Sequence, residues 1–186
     1  MSDPQPFLPK RMRTAADEAA APKYAHCERE RRWLVDAAAP PPAVDPIEIH
    51  DRYITGTRLR LREMRRDGEI VWKLTRKYEC ADALARPIVT AYLTRAEYDV
   101  LAALPALGVA KQRFRVSEGG RDFSLDRFAG ALDGLVLSEL EAEDDATLRA
   151  LADPAWTVRD VSDDPRYQGA RLAAHGIPKG YPWPEC

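Results

Sequence analysis

Cysteine and histidine are scarce in this chain, and their placement excludes much of the chemistry they usually bring. The 186 residues include three cysteines, Cys27, Cys80 and Cys186, scattered and odd in number. Without paired spacing they argue against a disulfide framework and against a zinc site. His26, His50 and His175 are equally dispersed and read as ordinary surface or core residues. No apolar run approaches the ~20 residues that cross a bilayer. The opening residues lack the basic, apolar and small-residue succession of a secretory signal, and Arg11 and Arg13 stand beside Asp17 and Glu18, unlike a transit peptide. The expectation is a cytoplasmic protein with no membrane partner. A net charge of −2 says little about partners by itself, because the charges are segregated along the chain.

What is present suits one globular domain with a heavily charged surface or site: 45% of the residues are hydrophobic and 31% charged. Residues 1–22 carry proline, alanine and mixed charge without a sustained apolar period and read as a loosely ordered tail. Residues 23–176 form the domain, and 177–186, rich in proline and glycine, form an irregular C-terminal tail.

Within the domain, period-two patterns predict strands over 24–35, 47–65 with a break near Thr55-Gly56, 70–78, 110–117, 121–128 and 135–143. Asp67-Gly68 and Gly119-Gly120 mark hairpin turns. Thr94 followed by Glu97 predicts a capped helix carrying Tyr98, Leu101 and Leu104, and Asp144-Asp145 caps a short helix through Leu151. Trp33, Phe114 and Phe128 read as outer-layer core.

Side chains two apart on a strand share a face. Glu28, Glu30 and Arg32 therefore line one face of the first strand, Arg58, Arg60 and Arg62 one face of the second, and Lys73 and Lys77 one face of the third. Lys111, Arg113 and Arg115 follow, then Glu139, Glu141 and Glu143. Charges are sorted by sign: residues 58–77 hold eight Lys/Arg against three Asp/Glu, whereas 139–145 hold five acids and no base. Like charges two apart on a strand, ~7 Å from each other, repel by roughly 2 kcal/mol at an effective dielectric of ~20, so a merely solvated sheet would interleave signs. Sorted rows suggest a site whose ligand supplies the missing charge. The opposite faces are apolar, so the strands need an apolar layer outside and a polar lining inside. A closed antiparallel β-barrel with helices packed on its outer wall, an α+β fold, meets both demands. Rows of arginine and lysine match a multi-phosphate chain, and clustered glutamates match a hard divalent cation. Nucleic acid is the weaker partner, since acidic rows share the lining.

These residues also resemble a known family. Glu28-Arg29-Glu30-Arg31-Arg32 resembles the E-x-E-x-K signature of the CYTH superfamily, the triphosphate tunnel metalloenzymes. The similarity continues through Leu59-Arg60-Leu61-Arg62, Leu74-Thr75-Arg76-Lys77, Lys111-Gln112-Arg113-Phe114, Leu125-Asp126-Arg127-Phe128, Glu139-Leu140-Glu141 and Asp164-Pro165-Arg166-Tyr167. The resemblance implies a closed eight-stranded antiparallel tunnel and metal-dependent hydrolysis of a triphosphate, inorganic tripolyphosphate first. It further implies that Glu28, Glu30, Glu139 and Glu141 hold Mg²⁺ or Mn²⁺, and that Arg60, Arg62, Lys77, Lys111, Arg113 and Arg166 grip the phosphates. Glu28, Glu30 and Arg32 form the catalytic signature, with Asp126 a further interior acid. Homodimers occur in the family. One departure bears on catalysis: Arg32 replaces the signature lysine, and its planar fork is not a compact point charge. The alternatives are a class IV adenylyl cyclase and a non-catalytic polyphosphate-binding module.

Overall fold

Alternation of charged with apolar residues builds nine strands among the described residues, and closure of the sheet turns the charged faces inward. The computed structural model describes residues 20–80, 82 and 84–180. Its strands are β1 (His26–Val35), β2 (Val44–Ile54), β3 (Leu59–Arg66), β4 (Glu69–Lys77), β5 (Ala85–Leu93), β6 (Ala106–Glu118), β7 (Arg121–Ala129), β8 (Val136–Glu141) and β9 (Thr157–Asp160). Among the described residues three α-helices accompany them: α1 (Arg95–Ala102), α2 (Asp145–Ala150) and, after β9, α3 (Gly169–His175). The hydrogen-bonded order is β5-β4-β3-β2-β6-β7-β8-β1, every pair antiparallel, and β5 pairs back onto β1 to close an eight-stranded barrel. β9 attaches to β1 beyond that seam.

The tight hairpins follow from their turn residues. Asp67 and Gly68 take φ of 50° and 83°, and Gly119 and Gly120 take 58° and 74°, the left-handed pair that matches strand twist. The expected break at Gly56 separates β2 from β3. Thr94 and Glu97 form the expected capping box at the start of α1. α1 buries none of its residues fully; it leans on the outer wall through Tyr98, whose ring lies 5.9 Å from that of Trp72.

Two apolar clusters fix the barrel. Outside, Trp33, Val35, Val116, Phe123, Leu125, Val136 and Leu140 pack beneath Leu151 and Trp156. Inside, Leu34, Val109, Phe128 and Leu137 share a face with the charged lining and meet Tyr167 and Leu172 from the C-terminal segment. They fill one end of the barrel.

The structure adds what the sequence patterns did not place: β5, β9 and α3. Pro87 interrupts the pattern of β5, but it stands at the closing seam, opposite Cys27. Phe128 is a correction. It faces inward rather than outward, because its register partner is Lys111, whose ammonium lies 5.3 Å from the ring centroid. Residues 1–19 of the expected N-terminal tail and 181–186 of the C-terminal one lie outside the described residues.

Leu34 is fully buried whereas Val100 is 73% exposed. Leu34→Ala should therefore cost about 3 kcal/mol in urea unfolding and Val100→Ala less than about 0.5 kcal/mol. Similar losses for both would contradict the inner apolar cluster.

Candidate functional site

Register determines which charges meet inside the barrel. Glu30 stands opposite Glu141 and Arg32 opposite Glu139 across β1 and β8. Glu28 stands opposite Arg86 across the β1–β5 seam. Arg113 pairs with Asp126 across β6 and β7, and Arg62 with Asp51 and Lys73 on either side of β3. Direct antiparallel partners share a face, so all of these line the interior.

Three carboxylates gather without a matching number of cations. Carboxylate oxygens of Glu28, Glu30 and Glu141 lie within 4.8 Å of one another. Burial, reinforced by the charges of Glu28, Glu30 and Glu139, pushes the Glu141 carboxyl above its ordinary range. Such a group favours a shared proton or a hard cation, and an all-oxygen donor set suits Mg²⁺ or Mn²⁺. The residues fit a divalent ion. Glu139 is employed differently: it accepts from Arg32 Nε at 2.8 Å and from Arg113 Nη2 at 2.7 Å. Burial opposes its charge, but Arg32 and Arg113 hold the Glu139 carboxyl well below the ordinary range.

The cations are arranged around these acids. Arg32 bridges Glu30 at 2.8 Å and Glu139, and its third contact is the Tyr167 carbonyl at 3.3 Å. Lys77 pairs with Glu28 and lies 3.7 Å from Glu30. Arg113 forks Asp126 at 2.7 Å through both nitrogens, and Lys111 binds the same carboxylate. Lys111 is buried, and desolvation pushes its ammonium below the usual lysine range despite Asp126. Arg62 forks Asp51 at 2.6 and 2.7 Å. Arg60 lies 3.9 Å from the same Asp51, with its buried Nε lacking a hydrogen-bond partner.

Of the residues singled out by sequence, Glu28, Glu30, Arg32, Arg60, Arg62, Lys77, Lys111, Arg113, Glu139 and Glu141 therefore line one interior. Arg166 is not brought to them. It is exposed and forks Asp164, two residues away, at 2.6–3.1 Å. Sequence reasoning left the role of Asp126 open, and the structure makes it the shared anchor of Lys111 and Arg113. It missed Asp51, which alternation with Ile49 and Tyr53 could have revealed, and Arg86, whose strand it did not place. Sorted rows also do not stay apart. Closure sets them against each other, so most of the lining charge is neutralised internally.

Burial raises the Asp51 carboxyl, but the hydrogen bonds and charge of Arg62, with Arg60 and Lys111, bring it down to about 2. The native value lies below the ordinary ~3.9, so ionised Asp51 stabilises the fold above that pH. This contribution, on the order of 2 kcal/mol, fades as pH falls through about 2. Asp51→Asn should flatten the loss of urea stability between pH ~4 and ~2. An unchanged slope would rule out this pairing.

Comparison with known proteins places this geometry. No protein-family model matches the chain. A 64-residue stretch is 33% identical to the inorganic triphosphatase of Acetivibrio thermocellus, covering 34% of this chain and 40% of that protein. The match thus spans well under two thirds of that relative's length. The solved structure of the inorganic triphosphatase NE1496 is similar with a TM-score of 0.54 and 25% identity, over 78% of this chain and 93% of that one. The PH1819 protein of Pyrococcus horikoshii shares the fold, with a TM-score of 0.50 and 18% identity over 66% of this chain and 82% of that one. With its closed eight-stranded barrel, inward ExE strand and facing basic rows, the chain shares the triphosphate tunnel fold of NE1496 and is similar to the CYTH-type triphosphatases.

Proposed function

We propose that this protein is a divalent-metal-dependent triphosphatase whose first substrate is inorganic tripolyphosphate. The observation that carries the reading is the grouping of Glu28, Glu30 and Glu141 beside a lining of arginines and lysines. Carboxylates and cations in one interior are what phosphoryl transfer to water needs. The name and fold of NE1496 support the same class of reaction.

Glu28, Glu30 and Glu141 would hold the divalent ion. Bound there, it would supply charge neutralisation on phosphate oxygens and an activated water. Arg60, Arg62, Lys77, Lys111 and Arg113 would bind the phosphate chain, the arginines through paired N–H groups. Arg113 and Lys77 are engaged by carboxylates inside the barrel, so substrate must compete with Glu139, Asp126 and Glu28 for them. Asp126 and Asp51 keep Lys111, Arg113 and Arg62 oriented within the apolar-ended barrel. Burial in a low-dielectric lining strengthens each contact to phosphate once water is displaced.

A second reading rests on Arg32. Its guanidinium spans Glu30 and Glu139, tying up one oxygen of a metal-holding carboxylate. That favours phosphate binding with slow or absent turnover. Phosphate release from tripolyphosphate, ATP and thiamine triphosphate, with Mg²⁺ or Mn²⁺, separates the readings. Release from tripolyphosphate that a chelator abolishes supports the hydrolase. Tight binding without product supports the binding module, and cyclic AMP from ATP supports a cyclase.

Glu30→Gln should lower metal-dependent release by more than the ~10–100-fold that changes around a metal ligand's outer partners cost. Arg66→Ala, on an exposed side chain, should change it by less than about twofold. Equal effects would contradict the barrel interior as the site. Mn²⁺ affinity, read by calorimetry, should rise with pH through the raised range of Glu141, because binding releases its proton. A pH-independent affinity would remove Glu141 from the metal set.

A further inference from the structure

Gly169, the first residue of α3, has no side chain for a reason of space rather than backbone conformation. A Cβ built there would overlap the Tyr53 hydroxyl and lie 2.9 Å from its Cζ. α3 itself is anchored by Leu172, which is buried in the inner cluster alongside which Tyr53 packs. The space left by the missing methyl group is thus the seat of the Tyr53 ring.

Tyr53 stands directly opposite Arg60 across β2 and β3, on the interior face. Arg60 needs an orienting partner. Its Nε is buried with no hydrogen-bond partner, and Asp51 gives both oxygens to Arg62, leaving Arg60 at 3.9 Å. Tyr53, its direct cross-strand neighbour, brings a hydroxyl to the rest of the Arg60 guanidinium. Burial, then the charge of Asp51, pushes this phenol up to about 12, while Arg60 and Arg62 pull it the other way, Arg60 also by a hydrogen bond. A neutral phenol at physiological pH accepts from Arg60 without cancelling its charge, so the guanidinium keeps its full attraction for an anion.

We propose that Tyr53, seated against Gly169, is a positioning residue that aims Arg60 at the phosphate chain. The inference rests on the triphosphate reading and extends it to residues outside the signature motifs. C-terminal helix α3 then acts on the site through one van der Waals contact: adding a methyl group at residue 169 shifts the hydroxyl, and with it Arg60.

A double-mutant cycle over wild type, Tyr53→Phe, Gly169→Ala and the double variant tests this, with tripolyphosphate and Mg²⁺ as probe. Each single change is expected to raise KM by about tenfold, one charge-assisted contact, with kcat within about twofold. Mn²⁺ affinity should not move, since Glu28, Glu30 and Glu141 are untouched. Phenylalanine removes the severe overlap with the hydroxyl and leaves the 2.9 Å approach to Cζ, which a small ring shift relieves, so the double variant should fall close to Tyr53→Phe instead of combining both losses. Should Gly169→Ala fail to fold, the double variant is still expected to fold. Multiplicative KM effects, an unchanged KM in Tyr53→Phe, or a double variant that does not fold would each overturn the proposal. A wild type that neither binds nor cleaves tripolyphosphate would overturn the proposed function and this inference together. Cleavage with uncoupled variants would overturn the inference alone.

Discussion

The pairing of β1 with two different neighbours along one edge is the constraint on which the rest depends. His26–Arg29 pair with β5 and close the barrel, whereas Trp33–Val35 pair with β9, and β8 occupies the opposite edge. Closure removes free sheet edges and forces each face of β1 to a single environment. Glu28, Glu30, Arg32 and Leu34 must then face in, and Arg29, Arg31, Trp33 and Val35 must face out. Arg31 secures the outer side by donating to the Leu151 carbonyl at 2.5 Å, to Asp153 at 2.6 Å and to Asp160. That arrangement holds the segment after α2 over Trp33, whose indole N–H reaches the same Asp153 at 2.8 Å.

A charged interior is tolerable only because it is nearly complete. Buried ions are costly when unpaired, and each deep carboxylate here meets at least one cation. Asp126 serves Lys111 and Arg113, Asp51 serves Arg62, and Glu139 serves Arg32 and Arg113. The exception is Glu141, which crowds against Glu28 and Glu30 while Lys77 and Arg32 engage those two, so three acids share fewer cations. Polarity along the barrel follows from the apolar cluster at the end bearing Leu34 and Phe128, which confines the charged side chains to the remaining lining.

The strands with clean alternation were legible, including both glycine-bearing hairpins and the capping box of α1. Ten of the eleven residues singled out for the site meet inside one barrel because period two transfers directly into facing. The misses have separate physical causes. β5 contains Pro87, which local propensity counts against a strand, yet pairing at the seam overrides it. Arg166 carries a motif resemblance, but its nearest acid, Asp164, captures its fork. Phe128 looked like outer core because aromatics pack on walls, whereas its parity with Asp126 sends it inward.

By itself the sequence determined which residue types share a face, where the chain turns and how the signs of charge are distributed. These are local properties, set by the two-residue period of strands and by left-handed turn residues. Only the tertiary structure decided which row faces which, because register and closure are long-range. It split the four glutamates into three that crowd together and one, Glu139, held by arginines. It also brought Gly169 to Tyr53 across more than a hundred residues, a contact that no local pattern encodes.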